Sequence, residues 1–418
     1  MVLDIDEYIS GFTFGEKRDL FNMGGDTGIT RVEKVKIDNV YVNKYVNEFW
    51  TSRQRQASAL HEVSYRACFK AQLPRFFIEL LTSERDVVYD PFMGRGTTAI
   101  ESGLLGRLVV ANDVNPLSII LTWPRFFIPK LGELENRLRT ISVDGRNKAE
   151  IDLSMFYHPE TEAEICSLRN YLEMKREEGK EDYLDAWIRM VATNRLTGHS
   201  KGFFSVYTLP PNQAVSQERQ NRINENRNQT PDYRNINKLI MVKSKQLTSS
   251  LSVAQVEKLR KIGEKALLLS VDSRMTPAIS AESVRLTVTS PPFLNIVNYA
   301  QDNWLRCWFN NVDMENVSEK ITIAKSVGEW SDFISEVFRE LFRLTKKGGW
   351  VAFEVGEIQN GKVNLDEYVV PLGLNAGFSC EGIIINEQDF TKTSNIWGIS
   401  NKRRRTNTNR IVLFKKCK

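Results

Sequence analysis

Residues 86–116 read DVVYDPFMGRGTTAIESGLLGRLVVANDVNP, and this stretch constrains the fold more than any other. A short apolar run leads into a turn with two glycines. A helical stretch follows, then a second apolar run that ends at an acid. This is a β-turn-α-β unit, in which the helix carries the chain back so that the two strands lie parallel. Strands of a parallel sheet are covered on both faces, which is why these runs are continuously apolar and do not alternate.

Gly94 and Gly96 stand between the strand and the helix, where glycine permits a tight turn and close backbone approach to a ligand. Asp90 closes the first strand, and Thr97 and Thr98 can cap the helix that follows. Asp113 closes the second strand, seventeen residues beyond Gly96. An acid there either accepts hydrogen bonds from both hydroxyls of a ribose or caps the next helix. No lysine follows the glycines as in a phosphate-binding P-loop, and the third glycine of the dinucleotide fingerprint is missing. An aspartate just ahead of the turn suits a cationic cofactor. S-adenosyl-L-methionine, with its sulfonium and ammonium groups, meets that requirement.

The same α/β grammar resumes late in the chain. KALLLSVDSR and VRLTVTSPPF read as strands, and a helix is expected over 331–345. GGWVAFEVGE, GFSCEGIII and NRIVLFKK complete a sheet. Residues 66–82, RACFKAQLPRFFIELLT, have helical spacing after Pro74, which is suited to a first turn. The stretch 125–265 breaks the pattern with helical composition and a long polar middle rich in Asn, Gln and Arg. The expected organisation is an N-terminal arm over 1–48 and a first catalytic part over 49–124. An inserted subdomain over 125–265 and a second catalytic part over 266–418 follow.

Composition narrows the function. With 41% hydrophobic and 26% charged residues the chain has a globular profile, and no run of apolar residues is long enough to span a membrane. The opening residues MVLDIDEYISGFTFGEK are acidic and mixed, unlike a secretion signal. Cys68, Cys166, Cys307, Cys380 and Cys417 are scattered and odd in number, and the three histidines are far apart. Neither a disulfide framework nor a metal site is expected, and the cytoplasm is the expected compartment. Lys and Arg outnumber Asp and Glu by 57 to 52. From Arg195 to Lys245 nine basic residues face Glu218, Glu225 and Asp232, an excess of six. Lys and Arg neutralise phosphates, and Arg, Asn and Gln read base edges; a solvated linker has the same composition. The segment KRRR at 402–405 is equally a solvated face or a phosphate contact.

The strand VTSPPF ends at two prolines, which offer carbonyls but no N–H. Together, DPFMGRGTT and TSPPF resemble the motifs of the amino-group DNA methyltransferases, over about 66–120 and 265–415. The resemblance implies a Rossmann-like S-adenosylmethionine-dependent methyltransferase sheet with a largely helical and irregular insert. It implies that Phe69, Asp90, Pro91, Phe92, Gly94, Gly96 and Thr97 line the cofactor, that Asp113 holds its ribose and that Asp272 meets its adenine. It implies that Ser290, Pro291, Pro292 and Phe293 form the catalytic wall. Acceptors there would localise the lone pair of an exocyclic amine, and Phe293 would stack on a base swung out of the duplex. The serine variant is the one associated with N4 of cytosine; enzymes acting on N6 of adenine usually carry Asp or Asn at that position. Enzymes acting on RNA base amines usually carry Asp-Pro-Pro-Tyr. The implied partners are double-stranded DNA and, in a restriction-modification system, an endonuclease of the same specificity. A 5-cytosine enzyme needs a nucleophilic cysteine, and the chain has no Pro-Cys dipeptide. Cys307 in NWLRCWF reads as packed, and Trp304, Trp308 and Phe309 read as core; Trp397 sits among small residues expected to form a loop by the pocket.

Overall fold

The computed structural model describes residues 4–13, 29–50, 57–65, 68–210, 214–292, 299–320, 324–358, 363–387 and 409–417. The strands are β1 (Arg31–Ile37), β2 (Val40–Asn47), β3 (Val87–Asp90), β4 (Leu108–Asn112), β5 (Leu267–Leu269) and β6 (Val284–Thr289). They continue with β7 (Thr345–Val355), β8 (Glu357–Ile358), β9 (Val363–Asn364), β10 (Ser379–Asn386) and β11 (Asn409–Lys415). Nine of the described strands form one sheet in the order β1-β2-β10-β11-β7-β6-β3-β4-β5. β3 runs parallel to β4 and β6, β4 to β5, and β6 to β7. β11 runs antiparallel to both β7 and β10. Its parallel part begins at β3, steps outward to β4 and β5, then crosses back to β6 on the other flank. Strand order therefore reverses between β3 and β6, and in such sheets the crevice at the carboxyl ends of the reversing strands receives the ligand.

Helices cover both faces. α1 (Ile5–Ser10) and α2 (Gln72–Leu81) bury Ile5, Ile9, Leu73, Phe77, Ile78 and Leu81 against Val88, Leu286 and Ala352. Pro74 falls in the first turn of α2, where its missing N–H costs nothing. α3 (Thr97–Leu104) and α4 (Leu117–Thr122) follow the glycine turn and β4. The insert between β4 and β5 supplies α5 (Leu131–Thr140), α6 (Pro159–Glu177), α7 (Tyr183–Arg195), α8 (Gln217–Arg227), α9 (Ile236–Thr248) and α10 (Val253–Gly263). Its side chains are not segregated from the sheet. Trp187, Ile240 and Leu259 share one buried cluster with Ile100, Leu104 and Val109 of α3 and β4.

α11 (Tyr299–Phe309) and α12 (Met314–Lys320) come after β6. α13 (Val327–Leu344) and α14 (Leu365–Asn375) close the second face, with Trp330, Ile334, Phe338 and Leu341 against Phe353 and Phe414. The segment read as an arm contributes the hairpin β1–β2 to the sheet edge, with β2 parallel to β10 through Ile383 and Lys44. Its core-facing side chains, Val42 and Val46, alternate with polar residues, a weak signal because the outer strand β1 stays exposed.

Candidate active site

β3 and β6 end side by side, with Val88 level with Leu286 and Tyr89 with Thr287. This brings the two sequence motifs together. The Thr289 hydroxyl donates to Asp90 Oδ1 at 2.6 Å, and the Phe92 N–H donates to the same oxygen at 3.1 Å. The Thr98 hydroxyl reaches across to the Val288 carbonyl at 3.1 Å. Asp90 is 2% exposed, and burial pushes its carboxyl up to about 7 against the pull of these hydrogen bonds.

Gly94 and Gly96 take φ values of +51° and +74°, in the left-handed region. A Cβ on Gly96 would stand 2.3 Å from Thr122 Oγ1, so the turn has no room for a side chain there. The Gly94 N–H donates to Asp113 Oδ2 at 2.8 Å, and the Asn115 N–H to Asp113 Oδ1 at 2.9 Å. Asp113 thus braces the glycine turn, and each of its oxygens keeps a second lone pair that a ribose hydroxyl can use. Burial raises its pKa as well. Thr97 and Thr98 do not cap α3: Gly96 occupies the cap position with no side-chain bond. The Thr97 hydroxyl instead accepts from Arg95 Nε at 3.2 Å, because the left-handed glycine turns the threonines inward.

Residues 57–65 and 68–70 form a strap over this turn. Arg95 donates to the carbonyls of Val63 and Phe69 at 3.1 and 3.2 Å. Asn115 donates to the Tyr65 hydroxyl at 3.3 Å. Phe69 is thereby held beside the turn, its ring packed on the α2 cluster. The Pro91 carbonyl accepts from Asn112 at 3.3 Å, and the Phe92 ring lies 6.2 Å from that of Phe333. Asp272 follows β5 in a loop that Asn112 ties to the end of β4 through Val271. Its carboxylate is paired with Arg274 at 2.6 Å, which holds it below the usual carboxylate range.

Ser290 and Pro292 are half-buried and Pro291 is buried, all at the mouth of β6. Trp330 donates its indole N–H to the Pro292 carbonyl at 3.0 Å, which fixes the rigid strand end against α13. Phe293, Trp397 and residues 402–405 lie outside the described residues. Sequence reasoning missed Glu354 of β7. It is 7% exposed, hydrogen-bonded to Ser290, and accepts from Asn409 of β11 at 2.9 Å. Burial raises its pKa. A signal was present: an acid inside the otherwise apolar run GGWVAFEVGE is costly to bury without a task. Cys307 and Phe309 are core residues at 0% and 1% exposure, and the Trp304 indole donates to the Val215 carbonyl. Among the described residues no group of His, Cys, Asp and Glu is arranged to hold a metal.

The DNA methylase family model for N6 and N4 methylation matches residues 16–119. The Type II methyltransferase M.BsoBI of Geobacillus stearothermophilus is 23% identical over 314 residues, 69% of this chain and 61% of that protein. The chain thus spans about 61% of the length of this curated relative. A DNA modification methylase described from Thermus thermophilus, complexed with S-adenosyl-L-methionine, is 22% identical over 35% of this chain and 53% of that one, with a TM-score of 0.22. The rRNA methyltransferase aviRa of Streptomyces viridochromogenes is 12% identical over 88% and 92% of the two chains, with a TM-score of 0.34. The strand order, the glycine turn and the acid at the next strand end are those of a Rossmann-like sheet of the methyltransferase type, with its ligand crevice at the ends of β3 and β6. The family-model match and the curated relative make the chain similar to the amino-group methyltransferases of DNA.

Proposed function

We propose that this chain methylates an exocyclic amine in double-stranded DNA, and that the amine is N4 of cytosine. The observation that carries the proposal is the Thr289–Asp90 hydrogen bond, which locks the Ser-Pro-Pro strand end to the acid beside the glycine turn. Bound S-adenosyl-L-methionine supplies an electrophilic methyl that needs no further activation. The side chains present fit it: the buried Asp90 and the half-buried Asp113, at the ends of adjacent parallel strands, suit a cation with a ribose. Asp90, Pro91, Phe92, Gly94, Gly96 and Thr97 build that wall, and Phe69 and Asp272 flank it.

The protein's task is then alignment and proton handling. Ser290 Oγ and the carbonyls of Pro291 and Pro292 present acceptors to the two N–H bonds of the amine, and Phe293 is assigned to stacking. Glu354 accepts from Ser290, which turns the serine lone pairs outward. Its raised pKa fits it to receive, through Ser290, the proton that leaves the methylated nitrogen. Serine in place of Asp or Asn is what favours cytosine over adenine.

Site recognition is assigned to the insert, with α8 as its reading element. Of this helix only Gln220 is buried, and Arg219, Asn221, Arg222, Glu225 and Asn226 are exposed. It is held rigidly all the same. Gln220 donates to the Tyr207 carbonyl at 3.1 Å and Asn224 to the Met155 carbonyl at 2.8 Å. A partner endonuclease of the same specificity belongs to this proposal. The test is nuclease digestion and mass spectrometry of DNA from a host that expresses the chain. N4-methylcytosine is expected. N6-methyladenine alone would transfer the mechanism to adenine, and 5-methylcytosine would refute amine chemistry.

A further inference from the structure

Three cations from three different helices converge beneath the strap. Arg195 closes α7, Lys243 lies on α9 and Arg306 on α11, and they are 8%, 5% and 7% exposed. Arg195 lays its guanidinium on the Phe203 ring, 3.9 Å from the centroid, and gives Nε to the Asn194 carbonyl at 3.0 Å. Arg306 gives Nη1 to Asn303 at 3.0 Å. Lys243 shares Gln246 at 3.0 Å and Glu62 at 3.4 Å, and Glu62 keeps 33% of its side-chain surface, which marks where the cluster opens to solvent. Among the described residues the acids that act on the cluster are Glu62 and Asp302, so three cations face two carboxylates there. Burial, reinforced by the charge of Arg306, lowers Arg195 to about 10. Burial, reinforced by the charge of Arg195, lowers Lys243 to about 8. These groups stand where negative charge is short, and buried cations without enough partners are costly. Nearby, Asn194 Nδ2 is buried with no acceptor.

The place of the cluster bears on the anion that it suits. Asn194 Oδ1 accepts from the Ser64 N–H at 2.6 Å, and the next residue, Tyr65, lies against Gly94. α11 is the helix that follows the Ser-Pro-Pro strand end. Tyr65 and Cys68, which act on Arg306, also line Gly94, so the cluster borders the glycine turn on the side of the insert. A nucleotide swung out of a duplex brings its flanking phosphates to the rim of the pocket that receives the base. We propose that Arg195, Lys243 and Arg306 form a phosphate site that grips the DNA backbone beside the target nucleotide. The inference rests on the DNA methyltransferase reading above and adds to it a specific anion-binding site.

The test uses the full chain and a duplex oligonucleotide carrying the methylated site, titrated over a salt series, with cofactor titrated separately. Lys243→Met and Arg195→Gln are compared with the parent. About tenfold weaker DNA binding is expected, with a salt slope smaller by about one for each phosphate no longer neutralised, and with cofactor affinity unchanged. Unchanged DNA affinity and slope in both variants would overturn the site. So would a selective loss of cofactor affinity, which would assign the anion to the cofactor carboxylate. If Arg195→Gln does not fold, Arg195→Lys keeps the charge, and inorganic phosphate should raise the melting temperature of the parent and of this variant but not of Lys243→Met. No such shift in the parent would count against the site. A parent chain that neither binds nor methylates duplex DNA would refute the enzyme assignment itself, a result distinct from any of these.

Discussion

Asp90 ionises near neutrality because burial outweighs the hydrogen bonds that favour its charged form. A cationic cofactor prefers the carboxylate, so affinity should rise with pH and level off above about 7. Below that value it should fall by up to tenfold per pH unit, and Asp90→Asn should flatten the profile and weaken binding throughout; calorimetric titration from about pH 5.5 to about pH 8.5 reads both effects. The sign for stability is opposite. A carboxyl raised in the folded state holds its proton after the unfolded chain has released it near pH 4, so its contribution falls as pH rises toward 7. Asp113 differs, because it braces Gly94 as well as being the proposed ribose acceptor. Asp113→Ala should weaken cofactor binding about ten- to a hundredfold, the scale of losing charged hydrogen bonds worth about 1.5–3 kcal/mol. Glu354→Gln and Ser290→Ala should each lower kcat more than they change cofactor affinity. Because the two residues act as a pair, the double variant should lose little beyond the worse single one in single-turnover assays. The strand-end placement of the serine, the prolines and both aspartates was legible in the sequence because each follows an apolar run and stands beside a turn. Glu354 was not, because its role depends on β7 and β11 pairing across the sheet.

At the scale of elements, the central β-turn-α-β unit was legible because its apolar runs, glycines and terminal acid are consecutive. The hairpin β1–β2 was not, since what makes Arg31–Ile37 a strand is pairing with its neighbour and not burial. The polar stretch after residue 199 hid a helix for a related reason. α8 lacks an apolar stripe, and amide side chains hold it to backbone carbonyls 13 and 69 residues away. A helix fixed by polar contacts leaves its outward side chains exposed, as the proposed role in reading a duplex requires. Arg222→Ala, exposed and outside the amide network, should relax or abolish the preferred DNA site, at about 1–3 kcal/mol for a bidentate base contact. Cofactor affinity and melting temperature should not change. An unchanged methylated motif in host DNA would remove α8 from recognition.

Over the whole molecule, the insert and the sheet stand or fall together. Phe204, Val206, Ile236 and Ile240 border or belong to the polar stretch and are buried, and all but Val206 join the cluster that contains Ile100 and Val109. Excising residues 201–240 would open the core shared with α3 and β4, so the proposed recognition surface is better tested by single substitutions. Trp187 tests the coupling directly. It is fully buried in α7, donates its indole N–H to Ser244 of α9 at 2.9 Å, and stands in the core away from Asp90 and Asp113. Trp187→Ala leaves a large cavity and strips Ser244 of its indole partner, and should cost roughly 3–5 kcal/mol. If the shared core makes one cooperative unit, calorimetry of the parent should show a single transition. The variant should then lose cofactor binding at the same temperature at which its helices melt. Two separated transitions, with cofactor binding surviving the first, would show that the insert folds on its own and only rests against the catalytic sheet.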